Sequence, residues 1–264
     1  MKRPAFFSLL ALLAAGTALA ADPAPGWTGS GNVTLVSDYI FRGVTQTQGR
    51  PTLQGNLDWV DASGLYVGGF GSGVAHAAYN NGSNAEIDLY GGYRHALSAD
   101  NNIDGGIVTY WYPGAHYLGA GHDVIYHTQD LKLGLNLGSF SAYGWLTVSR
   151  HFFGFAVDPA SGSYADSRGT TYVEMNWNPD LGDGLVANLH GGRQDIRHFS
   201  AFNFYDLKLG LSKTWGAWTG SLATTWNSGD ASRNKVPYWT FFNADGSSKN
   251  VVGTRLLATL ARNF

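Results

Sequence analysis

The sequence predicts an all-β, antiparallel transmembrane β-barrel of about 12 strands, with short turns on one side and long loops on the other. Three observations carry that prediction. Apolar and polar residues alternate with a period of two in segment after segment, the connections alternate short and long, and aromatic residues gather at segment ends. The clearest alternation is the repeated DLKLGL, at Asp130–Leu135 and Asp206–Leu211. Residues two apart on a helix point about 200° away from each other, so the repeat has no apolar helical face. At strand spacing its leucines share one side, opposite Asp and Lys.

Taken in order, the chain opens on MKRPAFFSLLALLAAGTALA, with Lys2 and Arg3 ahead of a short apolar run and Ala18-Leu19-Ala20 closing it. This has the form of a Sec signal peptide over residues 1–20, with cleavage expected after Ala20, so residues 21–264 are the expected barrel domain. NVTLVSDYIFR sets Val33, Leu35, Tyr39 and Phe41 against Asn32, Thr34, Asp38 and Arg42. TLQGNLDWV sets Leu53, Leu57 and Trp59 against Gln54, Asn56 and Asp58. EIDLYGGYR sets Ile87, Leu89 and Tyr93 against Glu86, Asp88 and Arg94. TYVEMNW and LVANLHGG continue the pattern, and the last stretch aligns Val252, Leu256, Ala258, Leu260 and Phe264. No helical segment is expected after the signal peptide.

The short connections are 61–64, 96–102, 138–139, 179–184 and 215–217; the long ones are 43–50, 75–84, 114–122, 151–169, 196–203 and 228–250. Tight periplasmic turns and long outer loops are the habit of a membrane barrel, and a soluble sandwich has no reason for it. Trp59, Tyr93, Trp177, Trp218 and Phe264 fall at the expected periplasmic ends. Phe41, Trp111, Tyr205 and Trp226 fall at the outer ends, which gives two aromatic girdles. The terminal Phe264 is the kind of residue by which the barrel-assembly machinery recognises a last strand. Cysteine is absent, so no disulfide braces the fold, and a formal charge of −2 argues against a nucleic-acid partner.

Charge deep inside the polar parity places that side toward a watery lumen and the leucines toward outer-membrane lipid. The candidate pore-lining residues are Asp38, Arg42, Asp58, Glu86, Asp88, Arg94, Asp104, Asp130, Lys132, Glu174, Asp206, Lys208 and Arg255. Eight acids against five bases lean weakly toward cations. Tyr66, Tyr110, Tyr143 and Trp145 share this parity and would narrow the lumen, and the loops 151–169 and 228–250 are long enough to fold into it.

The stretch SGNVTLVSDYIFRGVTQTQGRPTLQGNLDW, followed by SGLYVGGFGSGV, resembles the opening of the TorF-like porin family of proteobacterial outer-membrane barrels. The matching pieces are Ser37-Asp38-Tyr39, Phe41-Arg42-Gly43, Pro51 with Leu53-Gln54-Gly55, and Ser63 to Gly68. Gly73 stands where that family is expected to carry Asn. The resemblance implies a secreted, barrel-forming porin class and no particular substrate.

Other chemistry finds little support. Ser149-Arg150-His151 is the nearest approach to a nucleophile with a base, but no third group that would orient the pair is evident. His76, His116, His122, His127, His151 and His198 collect at the expected outer side, without the fixed spacing of a metal site. No catalytic residue, cofactor or resident metal is therefore expected. The expected function is passive diffusion of small hydrophilic solutes or ions across the outer membrane, with weak cation preference. The alternatives are a non-conducting surface-binding barrel and, third, an outer-membrane enzyme.

Overall fold

The computed structural model of the protein describes residues 26–264, apart from Asn80, Asn81, Ala120 and Ala244. The expected signal peptide lies outside the described residues. Twelve long strands form one closed antiparallel sheet: β1 (Trp27–Val36), β2 (Thr52–Asp61), β3 (Leu65–Gly73), β4 (Ala85–Ala96), β5 (Asn101–Trp111) and β6 (Thr128–Leu137), then β7 (Phe140–Thr147), β8 (Thr171–Trp177), β9 (Leu185–Asp195), β10 (Phe204–Trp215), β11 (Trp218–Asn227) and β12 (Arg255–Asn263). Each pairs with its sequence neighbours. The ring closes where β1 meets β12, from Asn32 opposite Asn263 to Val36 opposite Thr259. Closure leaves no open sheet edge, which a hydrocarbon environment requires because it offers no other partner for backbone N–H and C=O groups.

The outer surface explains the leucine repeats. Leu133, Leu209 and Leu256 are 65%, 59% and 78% exposed, while Glu86, Asp104, Asp130 and Asp206 are buried on the opposite face. Apolar residues outside and carboxylates inside invert the arrangement of a water-soluble domain, where an exposed apolar patch of more than a few hundred Å² is uncommon. As a continuous belt around a closed barrel, the same residues suit lipid. Tyr93, Trp177, Trp218 and Phe264 are exposed toward one rim, and Trp111, Tyr205 and Trp226 toward the other, in line with the two girdles.

Three features differ from the sequence expectation. β1 stops at Val36 and does not run on through Arg42. Ser37 bonds across to Ala258 through both its amide and its hydroxyl, at 2.9 Å each, and the chain then turns inward. As a consequence Phe41 leaves the outer girdle and packs inside against Tyr110 and Phe153, with ring centroids 5.5 and 5.7 Å away. Two single-turn 3₁₀ helices, His76–Tyr79 and Ser200–Phe202, interrupt the loops, where no helix was expected.

The apolar core is built where the loops meet the inner wall of the sheet. One cluster joins Val36, Tyr39, Val108, Tyr110 and Tyr112 to Phe41 and Phe153; a second joins Phe152, Phe199, Phe202, Phe204, Trp239 and Val251. Both lie at the outer half of the barrel. The long loops 148–170 and 228–254 supply Phe152, Phe153 and Trp239, so they fold inward over the mouth.

Candidate functional site

The first outer loop enters the lumen as a hairpin. Asp38 organises it by accepting hydrogen bonds from the Thr45 hydroxyl, the Thr47 hydroxyl (2.7 Å) and the Gly49 amide (3.2 Å). Ile40–Phe41 pairs with Val44–Thr45, and the turn residues Arg42 and Gly43 both have positive φ, 48° and 74°. A two-residue turn of that shape matches the twist of the strands it joins. Glycine is required at the tip for a second reason: a Cβ there would lie 2.6 Å from the Asp206 Cβ and 2.9 Å from the Asn227 side-chain nitrogen. The hairpin tip is pressed against the inner wall of β10 and β11, where Asn227 donates to the Arg42 carbonyl at 3.2 Å.

Arg42 then reaches further. Its guanidinium donates to Asp130 on β6 and to Gln194 on β9, at 3.0 Å each. The hairpin grows from the β1–β2 side, and β6 stands across the ring from β12, so these contacts bridge the lumen. Tyr172 and Phe41 flank the cation, 4.4 and 4.8 Å from ring centroid to guanidinium carbon. Arg42 and Asp130 are 7% and 1% exposed at their side chains, a buried pair held from several directions. The first outer loop thereby spans the outer half of the lumen, together with the inward-folded loops 148–170 and 228–254.

Below the plug the wall charges are mostly paired. Asp104 takes Tyr66 at 2.7 Å, Lys132 at 2.9 Å and Arg94 at 3.5 Å. Asp206 faces His190 at 2.8 Å and Tyr172 at 3.0 Å. Glu174 accepts from the Trp145 indole at 2.9 Å and lies 3.5 Å from His190. Asp58 accepts from Tyr90 at 2.6 Å. Glu86 and Asp88 are buried two residues apart on the inner face of β4. Arg255 lies 3.9 Å from Asp38, and Lys208 is exposed and makes no ion pair among the described residues. Toward the periplasmic end amides and hydroxyls replace charges, as in Asn136 to Asn102 at 2.8 Å and Ser221 to Thr259 at 2.7 Å.

Inward tyrosines lie flat on inward glycines of neighbouring strands. The Tyr143 ring covers Gly134, and a Cβ at Gly134 would overlap it; Tyr66 covers Gly92 and Gly106, and Tyr172 covers Gly192. The absent side chains make room for rings against the wall rather than across the lumen. Gly134→Val is expected to lift Tyr143 off the wall, break its 2.6 Å bond to Asn136 and cost about 1–3 kcal/mol, as overpacking does. Reversible urea unfolding from lipid vesicles measures it. A cost below about 0.5 kcal/mol, the usual surface value, would mean that the ring moves freely.

The Ser149–His151 pair is not assembled as a nucleophile with its base. The Ser149 hydroxyl donates to the His151 carbonyl at 3.0 Å, while the His151 ring faces Tyr164 at 3.0 Å. Burial, and then the positive Arg150, holds the His151 imidazole below its ordinary range. Among the other outer histidines, His116 pairs with Asp123 at 2.6 Å, His122 stacks on the same Tyr164, and His198 bonds the Asp166 carbonyl. Among the described residues no three His, Asp or Glu groups converge on a metal-sized position. Sequence alternation missed the aromatic loop residues, Phe152, Phe155, Phe202 and Trp239, because loops carry no period; their only signal was aromatic density.

A closed barrel with an apolar belt, two aromatic girdles and a charged lumen is the architecture of a barrel that crosses an outer membrane with its strands. The chain belongs to the Gcw_chp family, described as a bacterial protein of unknown function, whose profile matches residues 20–264. No curated protein matches it. Among solved structures the fold is similar to the KdgM porin (8% identity, TM-score 0.50, covering 89% of this chain and 99% of that one). It is also similar to the NanC porin (7% identity, TM-score 0.52, 89% and 99%). A third similar structure is the KdgM porin in complex with disordered oligogalacturonate (7%, TM-score 0.51, 90% and 99%). At these identities the likeness is one of fold.

Proposed function

We propose that this protein is a porin-like channel for passive diffusion of small hydrophilic solutes or ions, in which the first outer loop is a removable plug. The observation that carries the reading is the lumen itself. Below the inserted hairpin it is polar and roomy enough to leave Lys208 exposed, while its upper half is closed by loops and not by wall side chains alone. Twelve strands lie between the filled 8-strand barrel and the open 16-strand porin, so a loop decides whether such a lumen conducts. The resemblance to TorF-like porins supports the same class.

The full proposal has residues 1–20 directing export and being removed after Ala20, residues 21–264 forming the mature barrel, and Phe264 presenting the last strand to the assembly machinery. The thirteen charged positions named from sequence then divide into plug and wall. Asp38 and Arg42 belong to the plug, and Asp58, Glu86, Asp88, Arg94, Asp104, Asp130, Lys132, Glu174, Asp206, Lys208 and Arg255 to the wall.

Weak cation preference follows from the residue charges. Arg42 with Asp130 and Arg255 with Asp38 cancel, while Lys132 and Arg94 around Asp104 leave one positive charge and Lys208 adds a second. Asp58, Glu174 and Asp206 are carboxylates without a Lys or Arg contact, so negative charge is in slight excess. Fields are focused in a narrow low-dielectric passage, so small imbalances matter. Reversal potential across a potassium chloride gradient tests this. Asp58→Asn with Glu174→Gln is expected to move it toward zero, and Lys208→Gln to move it further to the cation side. Identical potentials in all three proteins would remove these groups from the conduction path.

A further inference from the structure

Above the plug lies a cavity of about 220 Å³ that the channel reading does not use. Its walls are aromatic: Phe152, Phe155, Phe202 and Trp239 are among them, and Val157 stands at its edge. Arg42 and Gln194 also line it, and the small exposed part of the Arg42 side chain therefore opens toward this space. We propose that this cavity is a binding site for a one-ring aromatic carboxylate, its ring between the loop aromatics and its carboxylate on the Arg42 guanidinium.

Size, lining and charge converge on that class. A dry apolar cavity of about 150 Å³ accepts a benzene molecule, so 220 Å³ holds one ring and one small substituent. Rings such as Phe155 and Phe202, 4.8 Å apart and nearly perpendicular, present the faces and edges that aromatic guests pack against. Arg42, Gln46, Gln194 and four tyrosines are the polar part of the lining and the rest is apolar. One ring with one carboxylate leaves fewer groups to be partnered there than a sugar of similar volume, whose every unpaired hydroxyl would cost about 1–3 kcal/mol. At the polar end a guanidinium has five N–H donors, of which the contacts to Gln194 and Asp130 engage one on each terminal nitrogen. The donors not engaged by Gln194 and Asp130 are those that would take the guest carboxylate, by charge-assisted hydrogen bonds. The site stands on the cavity alone, whether or not the barrel conducts.

The test is isothermal titration calorimetry of the full mature chain, refolded in detergent micelles, at pH 7. The probes are benzoate, benzyl alcohol and acetate. Saturable one-to-one binding of benzoate is expected, with benzyl alcohol at least tenfold weaker and acetate unsaturable. Arg42→Met is expected to weaken benzoate at least tenfold. Because that change also disturbs the plug, Val157→Trp provides an independent variant: it leaves Arg42 intact, fills the cavity and is expected to abolish benzoate binding. Benzoate heats unchanged by Val157→Trp, or saturable acetate of equal affinity, would overturn the proposal. Bilayer current plays no part in the measurement, so failure here leaves the channel reading standing, and the reverse holds too.

Discussion

Arg42→Met is expected to convert a mostly closed barrel into one that opens readily. Removing one partner of a buried, hydrogen-bonded ion pair strands the other, at a cost of about 3–5 kcal/mol. Here the stranded group is Asp130, 1% exposed and left with the Thr147 hydroxyl at 2.7 Å. Withdrawal of the hairpin would let water reach Asp130, so the penalty falls on the closed state only. Since about 1.4 kcal/mol is tenfold in an equilibrium, the closed-to-open ratio should drop by at least about a hundredfold. Single-channel open probability in a planar bilayer measures it. Arg42→Met with Asp130→Leu should recover closure, because replacing both members by apolar groups is often neutral. An unchanged open probability in the single variant would mean that the pair does not latch the plug.

The second large effect concerns the lipid face. Leu133→Arg or Leu209→Arg should destabilise the barrel by about 2–4 kcal/mol if these residues lie near the bilayer midplane. Both are more than half exposed and sit in the middle of β6 and β10, within the repeated DLKLGL. Lys208→Gln, one residue from Leu209 but on the lumen side, should stay within about 0.5 kcal/mol. Reversible unfolding from lipid vesicles measures all three. Equal costs on the two faces would reverse the inside-out assignment.

Much of this architecture was legible in the sequence because a strand's period of two is a direct record of its two environments. Ile87, Leu89 and Tyr93 face out, and Glu86 and Asp88 face in, as alternation requires. Strand count, closure and loop sidedness follow from the same rule plus connection length. The plug was not legible. Val33, Leu35, Tyr39 and Phe41 keep one parity as far as Arg42, yet the strand ends at Val36, because Asp38 gains three hydrogen bonds from its own loop and Arg42-Gly43 can form a tight turn. Val36, Ser37 and Ile40 already depart from that parity where the chain turns inward. Phe41 has the same parity inside as outside, so parity could not tell girdle from core. Arg42 is a pore-lining candidate on a strand in the sequence reading; in the structure it arrives from a loop and bonds to β6 and β9. No local pattern encodes a partner 88 residues away.

The most direct test is a paired bilayer recording of the wild-type barrel and a variant in which residues 39–46, the inserted hairpin, are replaced by a short Gly/Ser turn. Circular dichroism and heat-modifiable electrophoretic mobility would first establish that both barrels are folded. The plugged-channel account predicts brief, small current steps from the wild type and longer, larger steps from the variant in the same salt. Absence of stepwise current from both folded proteins, over a range of salts and voltages, would contradict it.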